Sequence, residues 1–324
     1  MVFTNIFANL LWYHWLIIGL GIFMLFNIGF MLWFTFETAR RVFLHTLSRI
    51  KSGGWGRECS APDNPEQMAM WNEGIEYMKQ FQDNKEDVQI ENDGLKLYGE
   101  FYNFGGTKTV IFLCGRCECL MYGYYYAKPY RESGYNLLFI DPRAHGLSEG
   151  LFNTCGIKES QDVLAWMKFI RNKKMQKSFT LHCVCVGGAT GLLAATDPKN
   201  ENYIDKMVFD GVFMNFLDSY SRHYVALGHK KFPVFYQVWF WFKAYNHVSI
   251  KKSNPLECIK KVDFPVLFLH CRNDQFSIPD NLSKIYEACP SKEKSIVWFE
   301  EGSHSHIRNH DMEKYDSAVK EFVK

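Results

Sequence analysis

Residues Leu181 to Gly191 read Leu-His-Cys-Val-Cys-Val-Gly-Gly-Ala-Thr-Gly. An apolar, strand-forming run from Ser178 to Leu181 enters this segment, and a small-residue helix start from Gly187 to Ala195 leaves it. A strand, a sharp turn and a helix around the pattern G-x-S-x-G hold a nucleophile at the turn. Here Cys185 stands at the serine position, Cys183 at the first glycine and Gly187 at the second. A helix N-terminus directly behind a thiol supplies backbone N–H groups and a positive dipole end, both of which stabilise an anion. The chemistry this permits is attack of sulfur on an acyl carbon. The alternative is a buried cysteine serving as a small apolar residue.

The elements needed to position such a nucleophile follow in order. Continuous apolar runs occur at Thr109–Leu113, Tyr135–Asp141, Lys206–Asp210, Phe264–His270 and Ser295–Phe299. Runs of this length, separated by helix-length segments, predict parallel strands buried on both faces of a doubly wound α/β sheet.

Three further segments complete a resemblance. Asp141-Pro-Arg-Ala-His-Gly-Leu-Ser-Glu-Gly150 resembles a D-x-R-x-H-G-x-S-x-G segment. His270-Cys-Arg-Asn-Asp274-Gln-Phe-Ser-Ile-Pro279 resembles H-G-x-x-D-x-x-V-P, and Gly302-Ser-His304 lies eleven residues before Tyr315. From about Val88 to the C-terminus the chain therefore resembles the α/β-hydrolase fold family, in particular its membrane-anchored serine aminopeptidase-like branch. The resemblance implies a mostly parallel sheet with a helical lid insertion, and a triad in the order nucleophile, acid, base. On this sequence those positions are Cys185, Asp274 and His304. Two departures stand out: Cys114-Gly115 replaces the usual His-Gly after the third strand, and Cys185 replaces serine. Cysteine nucleophiles occur on this fold in dienelactone-hydrolase-like enzymes.

In that reading His304 takes the thiol proton and Asp274 fixes the tautomer and orientation of the ring. His306 and His310 are competing bases, and Asp210, after the preceding strand, is a substitute acid. The spacing to Tyr315 favours His304. The oxyanion hole would be the backbone N–H groups of Val186, directly after the nucleophile, and Arg116, in the loop after the third strand. Arg143 and His145 read as structural supports of their loop.

Cys114, Cys117 and Cys119, with Cys183 and Cys271, invite a metal reading, but no second C-x-x-C completes four ligands at recognisable spacing. The sequence calls for neither a metal nor a cofactor. A thiol cluster that senses oxidants is the third alternative, after a hydrolase and a non-catalytic relative.

Residues 1–36 contain no Asp, Glu, Lys or Arg, and Leu10 to Phe36 form an apolar stretch of 27 residues. About 20 suffice to span a bilayer. Trp12, Tyr13, Trp15 and Trp33 sit where interfacial aromatic belts are found. One N-terminal transmembrane anchor, residues 1–36, is expected. Arg40, Arg41, Arg49, Lys51 and Arg57 follow it, so the positive-inside rule puts the domain on the cytoplasmic side. Ten cysteines without a small disulfide framework suit that reducing compartment.

Residues 37–86 read as a juxtamembrane linker and an amphipathic helix over 66–83, leaving 87–324 as one α/β domain. With 37 basic against 35 acidic residues, no nucleic-acid footprint exists. An insertion at about 215–260, the lid position, contains an aromatic stretch from Phe232 to Tyr245 that is too short for a second span. It reads either as ordinary sheet-edge packing or as a roof over an acyl pocket that dips into the bilayer surface. The expected partners are a small hydrophobic acyl substrate and the membrane; the expected reaction is cleavage of an ester or thioester.

Overall fold

A computed structural model describes residues 11–50, 55–174, 176 and 178–324. The first ten residues of the expected anchor, and residues 51–54 of the expected linker, lie outside the described residues.

Among the described residues two α-helices precede the sheet, α1 (Trp12–Leu47) and α2 (Pro65–Lys79). The strands are β1 (Lys85–Asn92), β2 (Leu95–Tyr102), β3 (Lys108–Leu113), β4 (Asn136–Ile140), β5 (Ser178–Val184), β6 (Ile204–Asp210), β7 (Val266–Cys271) and β8 (Lys294–Phe299). Between them run α3 (Ala127–Glu132), α4 (Glu159–Lys174), α5 (Val186–Ala195), the lid helices α6 (Phe216–Ala226), α7 (Val234–Asn246) and α8 (Pro255–Ile259), and α9 (Pro279–Ala288). The chain closes with α10 (Ile307–His310) and α11 (Met312–Val323).

The eight strands among the described residues form one sheet in the order β1-β2-β4-β3-β5-β6-β7-β8. β2 runs antiparallel to both its neighbours, and every other pairing between adjacent strands is parallel. This is the α/β-hydrolase fold, with a lid between β6 and β7. Strands β3 to β7 are apolar on both faces because helices cover both, as the continuous runs require. The sheet's C-terminal edge collects the turns after β3, β5, β6, β7 and β8, where a site on such a sheet belongs.

The β1–β2 hairpin is not among the strands read from the sequence. β1 carries mostly polar side chains with only Val88 and Ile90 buried, which suits an edge strand. Its signal was the turn: Asp93 and Gly94 both have positive φ, 53° and 71°, the backbone that Asp-Gly adopts in a two-residue hairpin.

α1 continues unbroken past residue 36 to Leu47, so the expected border between anchor and linker falls inside one helix. Its side chains from Leu11 to Phe34 are almost all exposed, whereas Ala39, Phe43, Leu44 and Leu47 are buried. These four join Phe216, Tyr220, Phe235, Val238 and Phe242 of the lid in one apolar cluster. The exposed part is long and apolar enough to cross a membrane. The segment that follows is tied to the domain as well. Trp55 stacks on His145 at 4.3 Å, and Arg57 pairs with Asp141 and Glu100 at 3.0 and 3.1 Å. α2 starts at Asn64, whose side chain accepts from the N–H groups of Glu66 and Gln67, with Pro65 in the first turn.

Candidate active site

The turn after β5 builds the site. Cys185 has φ 52° and ψ −110°, a backbone conformation that costs a non-glycine residue on the order of 1–3 kcal/mol. It persists because both sides are held. The Cys185 N–H donates to the Asp210 carbonyl at 2.9 Å, and the Cys185 carbonyl accepts from Gly188 at 3.0 Å. Glycine is obligatory at 187, where an added Cβ would lie 2.0 Å from the Leu113 carbonyl oxygen. The other pattern position tolerates Cys183 because its sulfur faces Gly191, where a Cβ would approach it to 2.7 Å.

Cys185 therefore caps α5, partly buried, with its side chain packed against both the core cluster that includes Val184, Leu269 and Tyr315 and the cluster shared by α1 and the lid. The N–H of Val186, at the first helical position, has no partner within the chain among the described residues, and neither has that of Arg116. The Arg116 carbonyl is occupied instead, by His145 Nε2 at 2.8 Å and Asn153 Nδ2 at 3.2 Å. His145 is fully buried, which pushes its pKa down to about 4, and Arg143 makes two 2.7 Å contacts to Asp162. Those two residues are supports of the loop.

His304 Nδ1 lies 2.7 Å from Asp274 Oδ2. The other oxygen of Asp274 accepts from the N–H groups of Phe276 and Ser277 at 2.8 and 2.7 Å, so the carboxylate is fixed from behind. Phe276 also packs on the His304 ring at 4.8 Å. Gly211, φ 67°, leaves room for the ring: a Cβ there would meet His304 Cε1 at 2.9 Å. His304 Nε2 is buried without a partner of hydrogen-bond geometry, and the Cys185 thiol is the neighbour that bears on it. Burial alone would lower the imidazole pKa, but Cys185 and Asp274 together hold it well above the ordinary 6.5. In Asp274, burial is likewise outweighed by the charge of His304, and its pKa is lowered.

The competing groups go elsewhere. His306 contacts Glu66, Gln67 and Ser303, and His310 contacts Glu66, so both face α2. Asp210 accepts from the Tyr315 hydroxyl at 2.9 Å, and burial pushes its carboxyl up to about 7. The cysteines do not gather into a ligand set. Cys114 and Cys119 pack with Trp71 and Tyr122, Cys183 lies under α5, and Cys271 donates to the Gly302 carbonyl. Among the described residues no three His, Cys, Asp or Glu side chains are arranged to hold a metal.

One contributor escaped the sequence reading. The Arg116 guanidinium donates to the Thr46 carbonyl, in the last turn of α1, at 2.6 Å and lies within electrostatic reach of Cys117, Cys155 and Cys185. Arg116 and Thr46 are 70 positions apart, which leaves no local pattern by which the contact could be read.

No protein-family model matches the chain. It is similar to YqkD, an uncharacterized protein of Bacillus subtilis (strain 168): 24% identical over 221 residues, 67% of this chain and 72% of that protein. It is also similar to YNL320W, an uncharacterized membrane protein of Saccharomyces cerevisiae: 26% identical over 220 residues, again 67% and 72%. Among solved structures, the esterase Pf2001 of Pyrococcus furiosus matches with a TM-score of 0.63 and 22% identity, covering 76% of this chain and 92% of that one. The acylaminoacyl peptidase of Pyrococcus horikoshii matches at 0.56 and 18%, covering 74% of this chain and 40% of that one. These structural likenesses carry the fold.

Proposed function

We propose that this protein is a membrane-anchored hydrolase that cleaves an ester or thioester of a hydrophobic acyl group through Cys185, His304 and Asp274. It would stand near the serine aminopeptidase-like branch, with sulfur in place of the serine oxygen. The observation that carries the reading is the Asp274–His304 pair at 2.7 Å, brought beside a cysteine held in a strained turn at a helix N-terminus. A buried acid–base pair aimed at a strained nucleophile has no evident role in a merely structural core.

His304 takes or holds the Cys185 proton at Nε2, sulfur attacks the carbonyl carbon, and the imidazolium is stabilised by Asp274. The N–H groups of Val186 and Arg116 hold the tetrahedral oxyanion; losing one such donor typically costs about 3 kcal/mol. As the intermediate collapses, the bond to the leaving oxygen or sulfur breaks and His304 returns its proton to that atom. Water, deprotonated by His304, then attacks the acyl-cysteine. The acid departs and the thiol is restored.

The exposed apolar stretch of α1 supports anchoring, and the basic residues Arg40, Arg41 and Arg49 that follow it support a cytoplasmic domain. Added protease should then leave the domain uncut in intact cells and digest it after permeabilisation. The catalytic reading is tested by labelling with a thiol-directed acyl probe and mapping the modified residue. Label on Cys185, lost in Cys185→Ala, is the expected result. A chain inert to acyl probes, with Cys185 unreactive toward iodoacetamide, would favour a lipid- or partner-binding relative of the fold.

A further inference from the structure

Charge is distributed unevenly along this chain. From Ser219 to Leu256 there is no Asp or Glu, against six Lys and Arg residues, while the whole chain has a net charge of only +2. The lid is therefore a cationic body on an otherwise acidic domain. Lys230, Lys231, Lys243, Lys251 and Lys252 make no ion pair among the described residues. Arg222 is the exception, paired with Asp218 at 2.9 Å.

Three of these lysines share one groove. Lys231, Lys243 and Lys251 line an open depression of about 580 Å³, together with Phe235, Tyr236 and Trp239. Asp218 also reaches it, but its carboxylate is engaged by Arg222 and by Asn281 Nδ2 at 3.0 Å. The indole N–H of Trp239, buried in the same lining, has no acceptor. Three ammonium groups without an anionic partner line one groove, which leaves it short of an anion.

The surroundings say which kind of anion. Tyr236 and Phe240 lie one helical turn apart on α7, Phe232 just precedes the helix, and the three are 61%, 57% and 81% exposed. Helix α7 runs alongside α1 near the end of its exposed stretch: Gln237 Nε2 donates to Thr35 Oγ1 at 3.3 Å, and Trp241 Nε1 donates to the Phe36 carbonyl at 3.0 Å. Phe240 and Trp241 both pack on the Phe36 ring, at 5.1 and 4.7 Å. Aromatic side chains flanked by lysine, next to the end of an apolar span, form the composition that settles into a bilayer interface.

We propose that the lid groove binds the phosphate-bearing headgroup of an anionic phospholipid, with Phe232, Tyr236 and Phe240 inserted among the acyl chains beside it. The inference rests on the membrane-anchor part of the preceding reading and is independent of catalysis. A lipid fits better than a free anion because α7, which carries Tyr236 and Phe240, runs alongside the membrane helix. Basic residues beside an anionic leaflet strengthen binding roughly five-fold each, an effect that salt screens.

The full chain is reconstituted with vesicles of phosphatidylcholine alone, or of phosphatidylcholine mixed with phosphatidylserine. Flotation reports anchoring, and hydrogen exchange of the lid peptides reports the groove. Flotation with both vesicles is expected, with lid exchange slowed only where phosphatidylserine is present. A variant combining Lys231→Gln, Lys243→Gln and Lys251→Gln should float equally well and lose the slowing; its exchange outside the lid serves as the check on folding. Flotation with both vesicles but lid exchange indifferent to phosphatidylserine would overturn the headgroup site and leave the anchor standing. Failure to float with either would overturn both. If inorganic phosphate added to phosphatidylcholine vesicles slows the lid as strongly, the groove takes a free anion and the lipid assignment falls.

Discussion

Nη1 of Arg116 donates to the carbonyl oxygen of Thr46 at 2.6 Å, joining the loop that flanks the candidate nucleophile to the last turn of the apolar helix. Carbonyls in a final helical turn lack intrahelical partners, so a cation there satisfies an orphan acceptor and meets the negative dipole end. Tyr220 of the lid donates to Thr46 Oγ1 at 3.3 Å, so lid, loop and helix meet at one residue. The last turn of the apolar helix thus borders the loop of the candidate site.

A chain begun at residue 34 therefore keeps the domain intact, and a chain begun at residue 48 does not. The second removes Phe43, Leu44 and Leu47, each buried and each contributing roughly 1.5–3 kcal/mol. Thermal denaturation should show a small change for the first and a large drop in Tm for the second. Hydrolysis of p-nitrophenyl butyrate should follow the same order. Equal stability of the two chains would contradict the docking.

Cys185→Ala should abolish hydrolysis, while Cys183→Ala and Cys117→Ala keep most of it. Cys185 alone among the three has the Val186 N–H directly after it at a helix N-terminus. Cys185→Ser is the sharper comparison, because a hydroxyl depends almost wholly on the base for activation. A site shaped for sulfur loses most of its rate with serine; an altered serine site keeps or gains rate. Steady-state kinetics on one ester and one thioester read the difference.

His304→Ala and Asp274→Asn should each lower kcat by 100-fold or more, in the range typical of general-base loss. His306→Ala should leave kcat within a few-fold, since its contacts are Glu66 and Gln67. Asp210→Asn should spare most of the rate, because Asp210 is held by Tyr315 and Asp274 is the acid on His304. A larger loss in Asp210→Asn than in Asp274→Asn would transfer the acid role to Asp210.

Stability should depend on Asp210 in a defined pH window. Burial raises its carboxyl to about 7 from an ordinary value of 3.8, so the folded state binds this proton more tightly than the unfolded one. The contribution is full below about pH 4 and is lost as pH rises towards 7, at up to about 1.4 kcal/mol per pH unit. Asp210→Asn should flatten that part of the profile in urea melts. His304, raised by Cys185 and Asp274 against burial, adds stability present below pH 6.5 and lost as pH climbs through its folded value. His304→Gln should remove that alkaline limb while leaving the Asp210 window in place.

Gly187→Ala should destabilise severely, because the Leu113 carbonyl 2.0 Å from the added Cβ is backbone and cannot yield. Gly191→Ala meets only the ends of side chains, Cys183 Sγ at 2.7 Å and Met207 Cε at 2.8 Å. Its cost should fall when Cys183→Ala is added. A double-mutant cycle in which the two changes add independently would show that Gly191 does not make the room for Cys183.

Local features of this protein were legible without coordinates. Buried parallel strands are runs of apolar residues because helices cover both faces, so β3 to β8 could be placed to within a few residues. The turn at Cys185 and the apolar span of α1 are equally local, since one is a pattern of small residues and the other a length of uncharged chain. The β1–β2 hairpin was harder to see, because an edge strand buries only alternate residues and its polar side chains resemble a loop. What remained for the tertiary structure were contacts between residues far apart in sequence. His304 and His306 are two residues apart, and packing against α2 turns His306 away while the space over Gly211 admits His304. Asp274 and Asp210 both follow strands, and only the three-dimensional position of the histidine loop sets Asp274 against Nδ1. Phe43 and Leu47 look like the tail of a membrane helix until the lid covers them, and Arg116 reads as one backbone N–H until Thr46 arrives. Periodicity and turn chemistry act over a few residues, whereas which side chain fills a given space depends on every element that borders it.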